Sequence, residues 1–266
     1  MTTANHPFRA LAGGIVAVAT LLGGMALAPA AVAADSPDAD TAPSVAGHPY
    51  NDLPYNNPTI SVTQIDNSDL PSYMRNPIGQ NEGVGSDDLD ENYYSADAAA
   101  LAYDGKLFVL TGHDEASPSY GSFNMRNWGA YVTDDPESGK WTHYKNIMQA
   151  DLFTWSTGDG AYAGHLALDD GGTPNDTSDD WFYYYVPVKD ANAPDGADPF
   201  SIGVAKSRSP LGPWKDAIGE PLLTTTQTGI ETIDPMFFTD DDGANYLYFG
   251  TFNTHTKYSP ARIAVI

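Results

Sequence analysis

The sequence predicts an all-β domain assembled from repeated antiparallel sheets, and three observations predict it. Helical periodicity is scarce. Gly and Pro recur every few residues, 25 and 20 among 266, with short aromatic or β-branched runs between these turn signals. Three of the runs share one plan: an apolar strand, a turn containing Asp-Gly, and a second apolar strand. They recur at intervals of roughly 60 to 75 residues, as the blades of a propeller do. A sandwich of two antiparallel sheets would show similar hairpins but gives no reason for so long and regular a repeat.

Residues 1–34 read as a signal peptide. Arg9 is the one formal side-chain charge before Asp35, and it precedes an apolar stretch from Leu11 to about Ala28. Ala31-Val32-Ala33 then supplies a small-residue cleavage pattern. A single membrane anchor is the alternative; the pairs Gly13-Gly14 and Gly23-Gly24, with Pro29, argue against it. No second arginine precedes the apolar run, which argues against a twin-arginine route. The expectation is therefore a secreted, extracellular protein, exported by a bacterial-type route and free of the membrane after cleavage.

From Asp35 to about Pro58 the chain is rich in Ala, Asp, Pro and Asn and lacks periodicity. Residues 35–70 are read as a linker or N-terminal arm, and 71–266 as the domain. Within it, Ala98 to Gly112 forms the first hairpin across Asp104-Gly105. Leu166 to Val188 is the second, with a longer acidic loop, and Met236 to Gly250 is the third. Further strands fit at Trp128 to Thr133, Trp141 to Tyr144 and Phe200 to Lys206, giving about four strands per sheet.

Composition bounds the partners. With Lys+Arg 12 against Asp+Glu 35, the formal net charge is −23. Phosphate backbones and anionic membrane surfaces would be repelled. Neutral polymers remain, polysaccharides first among them, and 16 Tyr with 5 Trp supply flat faces on which sugars stack. The same acidity also serves plain solubility, and the same aromatics also serve strands and cores. Zero cysteines exclude disulfides, thiol nucleophiles and Cys-type zinc sites.

Breaking a glycosidic bond takes two carboxyl groups facing each other across the sugar. Thirty-five acids defeat selection by composition, but position selects two: Asp97 opens the first hairpin repeat and Asp234 opens the third. In a propeller the innermost strand of each blade lines the central funnel, so acids at those starts point at a ligand. Turn capping is the competing reading of both.

Several motifs in order resemble glycoside hydrolase family 43. Tyr94-Ser95-Ala96-Asp97 followed by Thr111-Gly112-His113-Asp114-Glu115 looks like its opening blade. Phe123-Asn124-Met125-Arg126-Asn127-Trp128 and Ser207-Arg208-Ser209-Pro210-Leu211-Gly212-Pro213-Trp214 fit the same series. Ile233-Asp234-Pro235, with Phe237-Phe238 and Asp240-Asp241-Asp242-Gly243, is the most specific match. The resemblance runs from about Asn76 to Gly250. It implies a five-bladed β-propeller of the arabinofuranosidase/β-xylosidase type, with only about three blades in this chain. It also implies inverting hydrolysis of terminal α-L-arabinofuranosyl or β-D-xylosyl residues of plant polysaccharides. Asp97 would be the general base and Asp234 the acid that raises and orients its partner, with base and general acid ~6.5–9.5 Å apart.

Two departures stand out. The family has Asp-Pro at the base, and here Ala98 follows Asp97. The family's general acid is a Glu after the Ile-Asp-Pro motif, and here no Glu follows Glu231. The expectation is a truncated chain lacking that acid, with a non-catalytic carbohydrate-binding remnant as the alternative function. Glu231 is expected on the rim or in a structural role.

Four further residues are candidates for binding substrate: Asp114, Trp155, Asp159 and Tyr162. Packing in the core or a loop is the alternative for each. The six histidines show no metal-ligand spacing. Asp169 to Asp180 superficially resembles a calcium loop but lacks the spacing and terminal Glu of an EF-hand, so it reads as a solvated hairpin loop. No metal and no cofactor is expected, a structural calcium being unsupported by sequence. The expected partner is a plant polysaccharide or an arabino- or xylo-oligosaccharide, not a nucleic acid.

Overall fold

A computed structural model describes residues 55–56, 58–75, 78–79, 93–251 and 262–265. The segment read as a signal peptide and most of the stretch read as an arm lie outside the described residues. The described residues form three antiparallel sheets of the propeller-blade kind.

The first sheet contains β2 (Ser61–Asp66), β3 (Tyr94–Tyr103), β4 (Lys106–Asp114), β5 (Met125–Thr133) and β6 (Lys140–Gln149), in the order β2-β6-β5-β4-β3. The second is built on β7 (His165–Asp169), β8 (Trp181–Lys189), β9 (Phe200–Ser207) and β10 (Trp214–Asp216). The short β1 (Tyr55–Asn56) adds beyond β10, and β11 (Leu223–Thr224) pairs with β9. The third holds β12 (Ile233–Thr239), β13 (Asn245–Thr251) and β14 (Arg262–Val265).

All three Asp-Gly hairpins form where the sequence places them. At the first, Asp104 (φ 47) and Gly105 (φ 70) are both left-handed, the backbone a tight two-residue hairpin turn demands. In the second, the acidic loop carries its own carboxylates as turn acceptors. Asp169 takes the N–H of Gly171 at 3.1 Å, Asp170 that of Gly172 at 3.0 Å, and Asp176 that of Ser178 at 2.9 Å. Among the described residues the sheets hold five, six and three strands rather than four each: β2 adds to the first, β1 and β11 to the second. β1 and β2 pair with the outer strands β10 and β6 of different sheets, covering two outer edges that would otherwise be open.

Alternation on β8 explains how the sheets stack. Phe182, Tyr184, Val186 and Val188 are fully buried and share a core with Leu110, Trp128 and Ala130 of the first sheet. The other face of β8 turns Tyr185 toward the third sheet, where its ring stacks on Phe237 at 4.9 Å. A smaller core of Ile202, Leu247 and Phe249 lies at that second junction. Each large apolar side chain buried this way contributes about 1.5–3 kcal/mol. The first strand of each hairpin is innermost: β3 lies against β7, and β7 against β12. On the third sheet, Met236, Phe238 and Tyr248 stay exposed, at 55%, 45% and 37%.

Two glycines permit close sheet stacking. A Cβ on Gly203 would lie 2.7 Å from the Phe153 ring, and one on Gly164 would lie 2.7 Å from the Tyr184 ring. Both neighbours are rigid and fully buried. Gly203→Ala and Gly164→Ala are each expected to cost about 1–3 kcal/mol. For a chain of this size that lowers the calorimetric Tm by roughly 2–10 °C; an unchanged Tm would contradict this packing.

Candidate active site

Asp97 and Asp234 occupy equivalent positions in two different sheets. Along β3 and β4, Ala96 pairs with Gly112, but the next pair is Ala99 with Leu110, so two residues oppose one. Along β12 and β13, Ile233 pairs with Gly250 and the next pair is Met236 with Tyr248, the same slip. Each slip is a β-bulge, and its first residue is the aspartate in left-handed backbone: φ is 59 for Asp97 and 51 for Asp234. Among side-chain-bearing residues Asp and Asn tolerate this region best. The second bulge residue makes no ladder pair, so Pro235 loses nothing by lacking an N–H. Ala98 forms the same bulge without proline.

Both aspartates are solvent-accessible on the innermost strands. The surrounding protein nevertheless removes enough water to raise both carboxyl pKa values above the ordinary 3.8. For Asp234 the negative charge of Asp97 adds to that rise. The charge of Asp97 thus reaches Asp234, although β7 lies between their strands. Asp97 also reaches Tyr184, whose phenol is pushed above its ordinary range first by burial and then by that charge. Tyr184 Oη is buried and has no hydrogen-bond partner among the described residues.

The four other candidates divide. Trp155 is 7% exposed; its ring lies 5.3 Å from that of Phe153 and its indole N–H donates to Asp216 Oδ2 at 3.2 Å. That placement is in the core. Asp159 accepts from Lys189 Nζ at 2.6 Å, a half-exposed ion pair. Asp114 Oδ1 accepts the N–H groups of Ala116 (3.0 Å) and Asn124 (2.9 Å), tying together the two ends of the β4–β5 loop. Tyr162 is partly buried, fixed through its carbonyl by the Trp128 indole at 2.9 Å. Its phenol is raised by burial, then by Asp159, Asp114 and Glu231. Glu231 thus stands beside the two aspartates around one tyrosine.

Sequence reasoning missed a buried cluster behind the same loop. Glu115, 5% exposed, accepts from Arg126 Nε at 2.8 Å and from Asn127 Nδ2 at 3.1 Å. His113 meets Asn127 Oδ1 at 3.0 Å and stacks on Tyr93 at 3.8 Å. The spacing of Glu115 and the Asn124-Met125-Arg126-Asn127 run was the available signal, since a buried acid needs a cationic partner.

This arrangement can offer one ionised carboxylate to a water and hold a second charge beside it, over a rim of acceptors. Residues 138–265 match the family model described as glycosyl hydrolases family 43, a stretch that takes in Asp234 and begins after Asp97. A β-D-galactofuranosidase of Aspergillus niger is 36% identical over 150 residues, covering 51% of this chain and 42% of its own length. An arabinoxylan arabinofuranohydrolase of Bacillus subtilis is 30% identical over 62% of this chain and 33% of its own. The chain thus spans less than half the length of either relative. A solved family 43 β-xylosidase/α-arabinofuranosidase from a compost metagenome, in a calcium-free complex with xylotriose, is 29% identical. It covers 63% of this chain and 46% of its own, with a TM-score of 0.45. Over residues 138–265 the chain is similar to the glycosyl hydrolases of family 43.

Proposed function

We propose that this protein hydrolyses terminal α-L-arabinofuranosyl or β-D-xylosyl residues of plant polysaccharides with inversion, through Asp97 and Asp234. One observation carries the reading: two aspartates at matching bulges of the innermost strands of two sheets, with the charge of Asp97 helping to raise the Asp234 pKa. Asp97 is the general base. Its ionised carboxylate takes a proton from the water that attacks the anomeric carbon. Asp234 orients the reacting groups and holds negative charge beside them. Export belongs to the same proposal and rests on the N-terminal apolar segment and its Ala31-Val32-Ala33 pattern.

A nitrophenolate departs without being protonated, whereas a sugar alcohol needs a general acid, so nitrophenyl glycosides report on the base. The expected result is release of nitrophenol from nitrophenyl α-L-arabinofuranoside or β-D-xyloside. Binding of arabino- or xylo-oligosaccharides with no release from either nitrophenyl glycoside would contradict hydrolysis and leave carbohydrate binding without turnover.

If Asp97 is the base, Asp97→Ala is expected to cut nitrophenyl glycoside turnover by about 10²–10⁴-fold with little change in the thermal melt. Full activity in that variant would assign the wrong base. The pH profile has a definite sign. A base must be ionised and burial raises the Asp97 pKa, so turnover falls as pH drops through a midpoint above 3.8. Removing the charge in Asp97→Asn should lower the Asp234 titration midpoint, read by carboxyl-carbon NMR. The midpoint remains above 3.8, because burial is the larger cause.

A further inference from the structure

The loop between β4 and β5 is short of freedom and presents an uncovered aromatic. Its ends are joined by Asp114 Oδ1 to the N–H groups of Ala116 and Asn124, and by the Glu115 N–H to the Asn124 carbonyl at 2.9 Å. Asn124 Nδ2 also donates to Glu115 Oε2 at 3.3 Å. From this pinned base Phe123 projects at 63% exposure. An exposed phenylalanine on a fixed support forgoes the burial that would normally stabilise it.

Phe123 is not isolated. Its ring meets Tyr162 edge-to-face, with centroids 6.0 Å apart and planes at 78°. That geometry uses at most one face of Phe123 and leaves at least one open. Tyr162 is backed in turn by Phe200 at 4.8 Å. The step from this pair to the Asp97 bulge is short. Gly112 pairs with Ala96, next to Asp97. A Cβ on Gly112 would lie 3.4 Å from the Ala161 carbonyl and 3.8 Å from the Ala96 carbonyl. The chain neighbours of Tyr162 and of Asp97 therefore flank the same glycine. The charges of Asp159, Asp114 and Glu231 all reach the Tyr162 phenol.

We propose that Phe123, braced by Tyr162, is the stacking platform for the second sugar ring of an oligosaccharide, the ring next to the one held between Asp97 and Asp234. The proposal rests on the carbohydrate reading above and adds to it a residue that sets preference for chain length. Phe123 works by apolar contact with the C–H face of the ring, so it distinguishes oligosaccharides from monosaccharides and not one carboxylate chemistry from another.

The test is calorimetric titration of the full chain with D-xylose, L-arabinose, xylotriose and arabinotriose, in the wild type, Phe123→Ala and Phe123→Trp. Phe123→Ala is expected to weaken trisaccharide binding about three- to tenfold and leave monosaccharide binding and the melt unchanged. Phe123→Trp is expected to restore or exceed wild-type trisaccharide affinity. Unchanged trisaccharide affinity in Phe123→Ala, or an equal loss for mono- and trisaccharides, overturns the platform while leaving the carbohydrate reading standing. If the wild type binds none of the four sugars, the carbohydrate reading fails and the platform fails with it.

Discussion

At Asp97 and Asp234 the backbone turns left-handed inside an extended strand, and everything proposed for the site depends on that turn being held. A side-chain-bearing residue in this conformation costs about 1–2 kcal/mol. The ladder on either side enforces it: Ala96 with Gly112 and Ala99 with Leu110 around the first, Ile233 with Gly250 and Met236 with Tyr248 around the second. A flat strand would carry each aspartate in strict alternation with its neighbours. The bulge breaks that alternation and re-aims the carboxylate, and the charge of the first aspartate reaches the second although β7 lies between their strands. The strain and the repulsion are both unfavourable to folding, and both are held at the position where a reaction would use them.

The stability that tolerates this comes from the faces between the sheets. The large core between the first and second sheets includes Trp128, Phe182, Tyr184 and Trp214, and it positions β3 against β7. The smaller one, around Ile202, Leu247 and Phe249, positions β12. Tyr184 belongs to the larger core and also feels the charge of Asp97.

Much of the architecture was legible in the sequence for local reasons. Asp104-Gly105 and Asp242-Gly243 encode turns through their own backbone preferences, and alternation of the Trp181–Lys189 kind encodes a two-faced strand. Pairing between distant segments was less legible. The strands Tyr55–Asn56 and Ser61–Asp66 fall in a stretch read as an arm, because a short edge strand carries no apolar period of its own. The sequence singles out Asp97 and Asp234 as positions but does not show the two bulges, since register is a property of the pair of strands. Trp155 shows the same limit: an aromatic beside a loop reads alike whether it faces sugar or core, and here its indole N–H satisfies Asp216 inside. Phe123 has no distinguishing signal in the sequence, because its exposure and the pinned base of its loop are properties of the fold.

All of this comes down to whether one sugar ring sits against both bulges at once. A crystal structure of the protein soaked with arabinose or a xylo-oligosaccharide measures that directly. The account predicts a ring whose hydroxyls or bound water lie within hydrogen-bond reach of the carboxylates of both Asp97 and Asp234. A sugar bound elsewhere, or the two side chains turned away from any shared hollow, would contradict it.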